Sequence, residues 1–290
     1  MTRALTLGLA WLTASLPAAS VEARQQVEVF GALTTSTTAP AAQFTVDYVP
    51  RLVFGTVTGG RARHALNLEG GRSPGFEAGL NWLPVPRAGL QVFVARSECD
   101  LGGANAPYSL ELQYLARQPP DFVEREYSLQ QSVTWPESLG DVGAWRVGVG
   151  GLARFSGSHA DLSLSGGLLL TRLSGAFQPA GYYEYRLGGH STIFYNEVLV
   201  SMALDEAWHP GYHLGAELGV RAGARVRFIA GLRLFGPSPV PLARVADVLN
   251  EDQMLFSVPR SDIEAAIGGR PVAFDRLDRV VLRFGLGVGF

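Results

Sequence analysis

Apolar and polar residues alternate with a period of two along most of this chain. Within Tyr108–Tyr114, Tyr108, Leu110, Leu112 and Tyr114 fall on one face, and Ser109, Glu111 and Gln113 on the other. Side chains of a β-strand point alternately to its two faces, so the segment predicts a strand with one apolar wall and one wet wall. The same alternation recurs around Phe76–Trp82, Trp145–Phe155, Tyr212–Arg221, Arg225–Leu234 and Arg279–Phe290. These runs reach roughly nine to thirteen residues, the length a tilted strand needs to cross a bilayer. Strands of soluble proteins are shorter, about five or six residues. Glycine is abundant (35 residues) and sits often on the non-apolar face. A soluble sandwich would bury the apolar faces against a second sheet. Strand length and glycine placement favour lipid as the covering medium instead.

The links between runs alternate in length, as in membrane barrels. Short links are read at Pro84–Ala88, Gln118–Asp121, Gly157–His159, Gly188–Gly189 and Ala222–Gly223. Longer ones are read at Ser97–Ala106, Pro136–Val142, Ser174–Ala180 and Asp205–Pro210, flanked by two very long loops, Thr35–Gly75 and Gly236–Asp278. The expected fold is all-β: a closed antiparallel up-and-down transmembrane β-barrel of about twelve strands, with ten or fourteen as alternatives, and long outer loops. The fourteen-strand count follows if a candidate hairpin, Phe44–Val57 with Arg63–Glu69, enters the membrane. Three positions break the alternation: Arg125 and Gln131 share an apolar face with Tyr127, Leu129 and Val133, and Asn196 shares one with Phe194 and Val198. Within the last long loop, Val240–Phe256 has helical spacing through Leu242, Val245 and Leu249, and Ser261-Asp262-Ile263-Glu264 matches a capping box. Trp82, Trp135, Tyr108, Tyr127, Trp208 and Tyr212 lie near expected strand ends, where interface girdles form.

The first 23 residues change the compartment. Met1-Thr2-Arg3, an apolar run Ala4–Leu12, and small residues up to Val21-Glu22-Ala23 are the parts of a cleavable signal peptide. The division expected is residues 1–23 as signal and 24–290 as barrel. The formal charge is −2 and all 24 basic residues are arginine, so nothing suggests nucleic acid as a partner. Arginine keeps its charge in partly dehydrated places, although a GC-rich genome explains the bias as well. The single cysteine, Cys99, reads as a loop residue and cannot form an intrachain disulfide.

The chain stops in Val280-Val281-Leu282-Arg283-Phe284-Gly285-Leu286-Gly287-Val288-Gly289-Phe290. This resembles the closing strand of bacterial outer-membrane β-barrel proteins, in which alternating apolar residues lead to a terminal aromatic. Phe284, Leu286, Val288 and Phe290 carry the resemblance. It implies an outer-membrane location, outer-membrane lipid as surroundings, and recognition of this strand by the barrel-assembly machinery. Physically, a terminal strand in lipid must pair with the first, near Val27–Thr34, because an open edge cannot satisfy its backbone there.

The non-apolar face is then expected to line the lumen. It carries Glu28, Glu77, Glu111, Glu124 and Glu126 on early strands, Arg146, Arg154 and Glu217 in the middle, and Arg225, Arg227, Arg233, Arg279 and Arg283 late. Acids early and arginines late suggest opposed walls, a transverse field and a porin-like passage for small polar solutes. The alternative is that these charges pair across strands and fill the interior of a structural envelope component. An enzyme of the hydrolase or protease type would place its site near His209 in Asp205-Glu206-Ala207-Trp208-His209-Pro210, and a binding or adhesive barrel would use the loops 35–75 and 236–278. No catalytic motif and no metal-ligand spacing is seen, and no cofactor is expected.

Overall fold

In a computed structural model, the protein is described at residues 26–37, 41–49, 56–103, 107–117, 121–134, 138–179, 182–186, 193–223, 225–251, 260–275, 277 and 279–290. The expected signal segment, Trp135 and the link Gly188–Gly189 lie outside the described residues.

Eight strands close into a barrel wall. They are β1 (Gln26–Ser36), β4 (Pro74–Val85), β5 (Ala88–Gly103), β8 (Ser138–Ser156), β9 (Ala160–Pro179), β12 (Trp208–Arg221), β13 (Val226–Gly236) and β16 (Val280–Gly289). Each pairs antiparallel with the next in that order. β16 returns to β1 with Gly289 opposite Glu28 and Val281 opposite Ser36. Beyond that ladder, Phe290 N–H donates to the Val27 carbonyl at 2.8 Å. The expectation of about twelve strands is therefore corrected to eight.

The remaining strands stand outside the wall and build a head at one end. They are β2 (Ala41–Tyr48), β3 (Thr56–Gly70), β6 (Pro107–Arg117), β7 (Glu124–Thr134), β10 (Tyr182–Arg186), β11 (Ile193–Leu204), β14 (Ala243–Glu251) and β15 (Ala273–Asp275), with one helix, α1 (Arg260–Ile267). All lie in the four connections that follow β1, β5, β9 and β13. They pair among themselves: β15 with β2, β2 with β3, β3 with β6, β6 with β7, β10 with β11, and β11 with β14. Two of them also join the upper ends of wall strands, through Glu69 opposite Gly102 and Met202 opposite Phe177. What the sequence offered as a long loop at Thr35–Gly75 is thus largely strand, and Gly236–Asp278 holds β14, α1 and β15. The links read at Ser97–Ala106, Pro136–Val142 and Ser174–Ala180 are mostly the upper parts of β5, β8 and β9. The link ending at Asp121 turns β6 into β7 within the head.

The capping-box helix is present as α1, whereas the described part of Val240–Phe256 is not helical: Ala243–Glu251 forms β14 on the edge of β11, and residues 252–256 lie outside the described residues. The gain of a cross-strand ladder outweighs weak helical spacing, since backbone groups paired with a neighbour need no periodic apolar face. Cys99 lies in β5, buried, not in a loop. The register flaws also find their cause. Arg125 and Gln131 are on β7 and Asn196 is on β11, neither of which belongs to the wall. Facing no lipid, those strands are free of the constraint the flaws violate.

At the other end the turns are tight, linking β4 to β5, β8 to β9 and β12 to β13, and both Gln26 and Gly289 are there. The three short links read at Pro84–Ala88, Gly157–His159 and Ala222–Gly223 coincide with these turns.

Burial is inverted across the wall. Leu168 is 72% exposed, Phe284 58% and Phe228 56%, whereas Arg233 is 0% and Arg283 1% exposed. Exposed apolar side chains run in alternate positions through Val147–Phe155, Leu162–Leu170, Tyr212–Val220 and Leu282–Phe290. Nine residues at about 3.3 Å each, tilted as barrel strands are, span roughly the 25 Å of an outer-membrane apolar band. In the head the polarity returns to normal: Met202, Leu204, Ala243, Ile267, Val272, Phe274 and Leu277 are buried.

Candidate functional site

Among the described residues, many charged groups meet in the bore of the wall. On β1, Phe30 and Ala32 share the inner face with Glu28, and the same alternation turns Glu77 and Asn81 of β4 inward. On β5 it turns Gln91 inward, on β8 Arg146 and Arg154, on β9 Asp161, and on β12 His213 and Glu217. Arg227 and Arg233 of β13 and Arg283 of β16 complete the set. The polar and charged residues of this set are all at most 5% exposed.

They form a closed circuit. Glu28 Oε1 meets Arg227 Nη2 at 3.0 Å, and Arg227 pairs with Glu217. Glu217 Oε2 meets Arg283 Nη1 at 3.0 Å, and Arg283 Nη2 meets Glu77 Oε1 at 2.7 Å. Glu77 Oε1 also meets Arg233 Nη2 at 3.0 Å, and Arg233 donates to Gln91 Oε1 at 3.0 Å. Gln91 donates to Asn81 Oδ1 at 2.9 Å, and Asn81 donates back to Glu28 Oε1 at 2.9 Å. Arg154 and Asp161 branch from it, Arg154 on Glu28 at 3.0 Å and Asp161 on Arg227.

Charge and packing balance together. Four carboxylates, Glu28, Glu77, Asp161 and Glu217, face Arg154, Arg227, Arg233 and Arg283. An ion removed from water costs several kcal/mol, so such groups are tolerated only in mutual pairs with good geometry. Above the circuit, aromatic rings take over. Arg233 lies 3.7 Å over Phe93, Arg283 5.3 Å over Phe30 and Arg146 4.9 Å over Phe235. His213 meets Phe93 edge to face at 4.9 Å. Arg146 also donates to Ser97 Oγ at 2.9 Å.

Glycine makes room for these side chains. A Cβ on Gly219 would sit 2.6 Å from Arg227 Cδ and 2.6 Å from Asp161 Oδ1, and one on Gly148 would fall on the Phe93 ring. This accounts for the glycine-rich inner face in the sequence.

Of the residues expected to line the lumen, Glu28, Glu77, Arg146, Arg154, Glu217, Arg227, Arg233 and Arg283 are in the bore. Arg225, exposed just before β13, lines a cavity at the bore's lower mouth. Four are placed elsewhere. Glu111, Glu124 and Glu126 are exposed on the head strands β6 and β7, because those strands never enter the wall. Arg279 is exposed just before β16 begins. The opposed acidic and basic walls are also corrected. Closure makes β1 and β4 close neighbours of β16 and β13, so early acids and late arginines touch. Asp161, Asn81 and Gln91 were missed in the sequence. Asp161 lies just beyond the link read at Gly157–His159, in phase with Ser163, and that phase was the available signal.

His209 lies in β12 opposite Thr171, not in a loop, and Glu206 pairs with Arg172. Among the described residues no group of three or more His, Cys, Asp or Glu is disposed to hold a metal ion.

No protein-family model matches the sequence, and no curated protein matches it. Among solved structures, the outer membrane protein OprG from Pseudomonas aeruginosa is similar at a TM-score of 0.42 and 11% identity, covering 92% of this chain and 97% of that one. That likeness is loose, and the assignment stands on the strand pairing and the inverted burial. Water would not tolerate this outer surface, and lipid would not tolerate an open edge. A closed antiparallel wall with apolar side chains outside and paired charges inside has the architecture of a β-barrel whose outer face suits lipid.

Proposed function

We propose that this chain is an exported envelope protein whose barrel is a closed anchor in the outer membrane, holding a strand-built head at the outer surface. The observation that carries the reading is the circuit from Glu28 through Arg227, Glu217, Arg283, Glu77, Arg233, Gln91 and Asn81 back to Glu28, which spans the bore with residues at most 5% exposed. An eight-stranded barrel is just wide enough for its own side chains to fill. Solute passage through the wall would require these pairs to break together, at several kcal/mol for each ion left alone.

The tight turns, Gln26 and Phe290 face the periplasm in this reading, and the head faces outward. The C-terminal strand, with Phe284, Leu286, Val288 and Phe290 toward lipid, is the signal offered to the assembly machinery. Phe290→Ala then slows assembly into the membrane without altering the finished ladder.

Planar-bilayer recording tests the closed bore. The purified wild-type barrel gives no resolved open-state steps, while Glu217→Ala combined with Arg283→Ala introduces them. Regular steps from the wild type would restore the porin reading. A second reading, a binding or adhesive barrel, is favoured by the head itself, since all four outer connections contribute paired strands to it. Replacing β6 and β7 by a short turn would abolish ligand or cell attachment in that case and leave the barrel folded.

A further inference from the structure

A second feature lies below the circuit, at the end carrying the tight turns. A cavity of about 350 Å³ opens there, lined by Glu28, Arg154, Asp161, Arg221, Arg225 and Arg227 among others. Four guanidinium groups face two carboxylates, in a chain whose overall charge is −2. Both carboxylates are already engaged: Glu28 by Arg154 and Arg227, and Asp161 by Arg227. Among the described residues no carboxylate pairs with Arg221 or Arg225, which the β12–β13 turn sets at the cavity's rim.

The buried wall of the cavity is incomplete. Arg154 is 5% exposed, and its Nη1 and Nε are taken by Glu28 at 3.0 Å and Ser163 at 3.3 Å. Its Nη2 is buried without a hydrogen-bond partner, as is Nε of Arg227. A buried guanidinium donor left unsatisfied is costly, and the group that satisfies it must be an acceptor, preferably an anionic one. Guanidinium groups present planar forks that match carboxylate and phosphate oxygens.

The geometry points to a binding site for a small oxyanion, of the phosphate or carboxylate class, in this arginine cup. The oxyanion is held in the cavity among Arg154, Arg221 and Arg225, whose side chains line it. The oxyanion is either a free anion or the headgroup phosphate of an inner-leaflet lipid; both present the same oxygens.

Isothermal titration calorimetry tests it on the full barrel in a non-ionic detergent. Inorganic phosphate is titrated at constant ionic strength against chloride. The expected result is saturable phosphate binding that chloride does not reproduce. In Arg221→Gln/Arg225→Gln the affinity falls about tenfold. That pair is chosen because both side chains are exposed and outside the circuit, so folding is unaffected. Non-saturable heats, or unchanged affinity in the double variant, overturn the proposal. Repeating the titration in phosphatidylcholine nanodiscs with and without phosphatidylglycerol assigns the source. Weaker apparent phosphate affinity with phosphatidylglycerol supports a headgroup occupant, and unchanged affinity supports a soluble anion.

Discussion

Glu28 Oε1 and Arg227 Nη2 lie 3.0 Å apart in the bore although 199 residues separate them in the chain. Glu28 is on β1 and Arg227 on β13, with the closing strand β16 between them. The pair therefore straddles the seam at which the two ends of the sheet meet. Arg227 also holds Asp161 and Glu217, so one guanidinium serves three carboxylates. Arg227→Ala leaves all three under-compensated and lowers stability by at least about 3–5 kcal/mol. Arg227→Lys does not restore the loss, because an ammonium point charge cannot serve several forks at once. Urea titration of the barrel in lipid vesicles measures both.

The boundary between wall and head can be mapped with one substitution type. Leu214 is 52% exposed on β12, level with Gly166 and Gly151 in the middle of the apolar belt. Leu214→Arg costs about 2–4 kcal/mol in a bilayer, as arginine near the midplane of a barrel does. Ser128 is exposed on head strand β7, and Ser128→Arg changes stability by less than about 0.5 kcal/mol. Equal penalties at both sites would show that β7 also crosses the membrane.

Space inside the bore is as tightly set as charge. Gly148 faces Phe93, and a methyl at Gly148 would overlap the ring. Gly148→Ala costs about 1–3 kcal/mol through overpacking. Adding Phe93→Leu, which removes the ring atoms in the way, recovers part of that loss. Heat-modifiable gel mobility of the refolded variants reads the outcome, and no recovery in the double variant would locate the strain elsewhere.

A pH-dependent contact sits on the head. Arg63 donates to Asp47 through Nε at 2.7 Å and through Nη2 at 3.0 Å, tying β3 to β2. The hydrogen bond from Arg63 holds the Asp47 carboxyl below its ordinary value. A depressed carboxyl contributes its stabilisation above the ordinary aspartate range and loses it as pH falls through the folded value. Both side chains are well exposed, so the effect on overall stability is small. Carboxyl-carbon NMR of the folded protein finds Asp47 titrating below the ordinary aspartate value, and Arg63→Gln returns it toward that value.

The sequence by itself determined the local rule. Period-two alternation assigns Leu214, Leu218 and Val220 to one face of β12 and His213 and Glu217 to the other, because a strand's side chains have no third direction. It also marked the closing strand through Phe284, Leu286, Val288 and Phe290, and the three tight turns at the lower end. Only the tertiary structure decided which strands belong to the wall. Tyr108–Tyr114 alternates as cleanly as Tyr212–Val220, yet one stands in the head and the other faces lipid. Periodicity describes a two-faced ribbon and says nothing about the medium on either side. The charge pairing was illegible for a related reason. Glu28 and Arg227 are remote along the chain and become neighbours only when the sheet closes, and closure is a property of the whole ring of strands, not of any one segment.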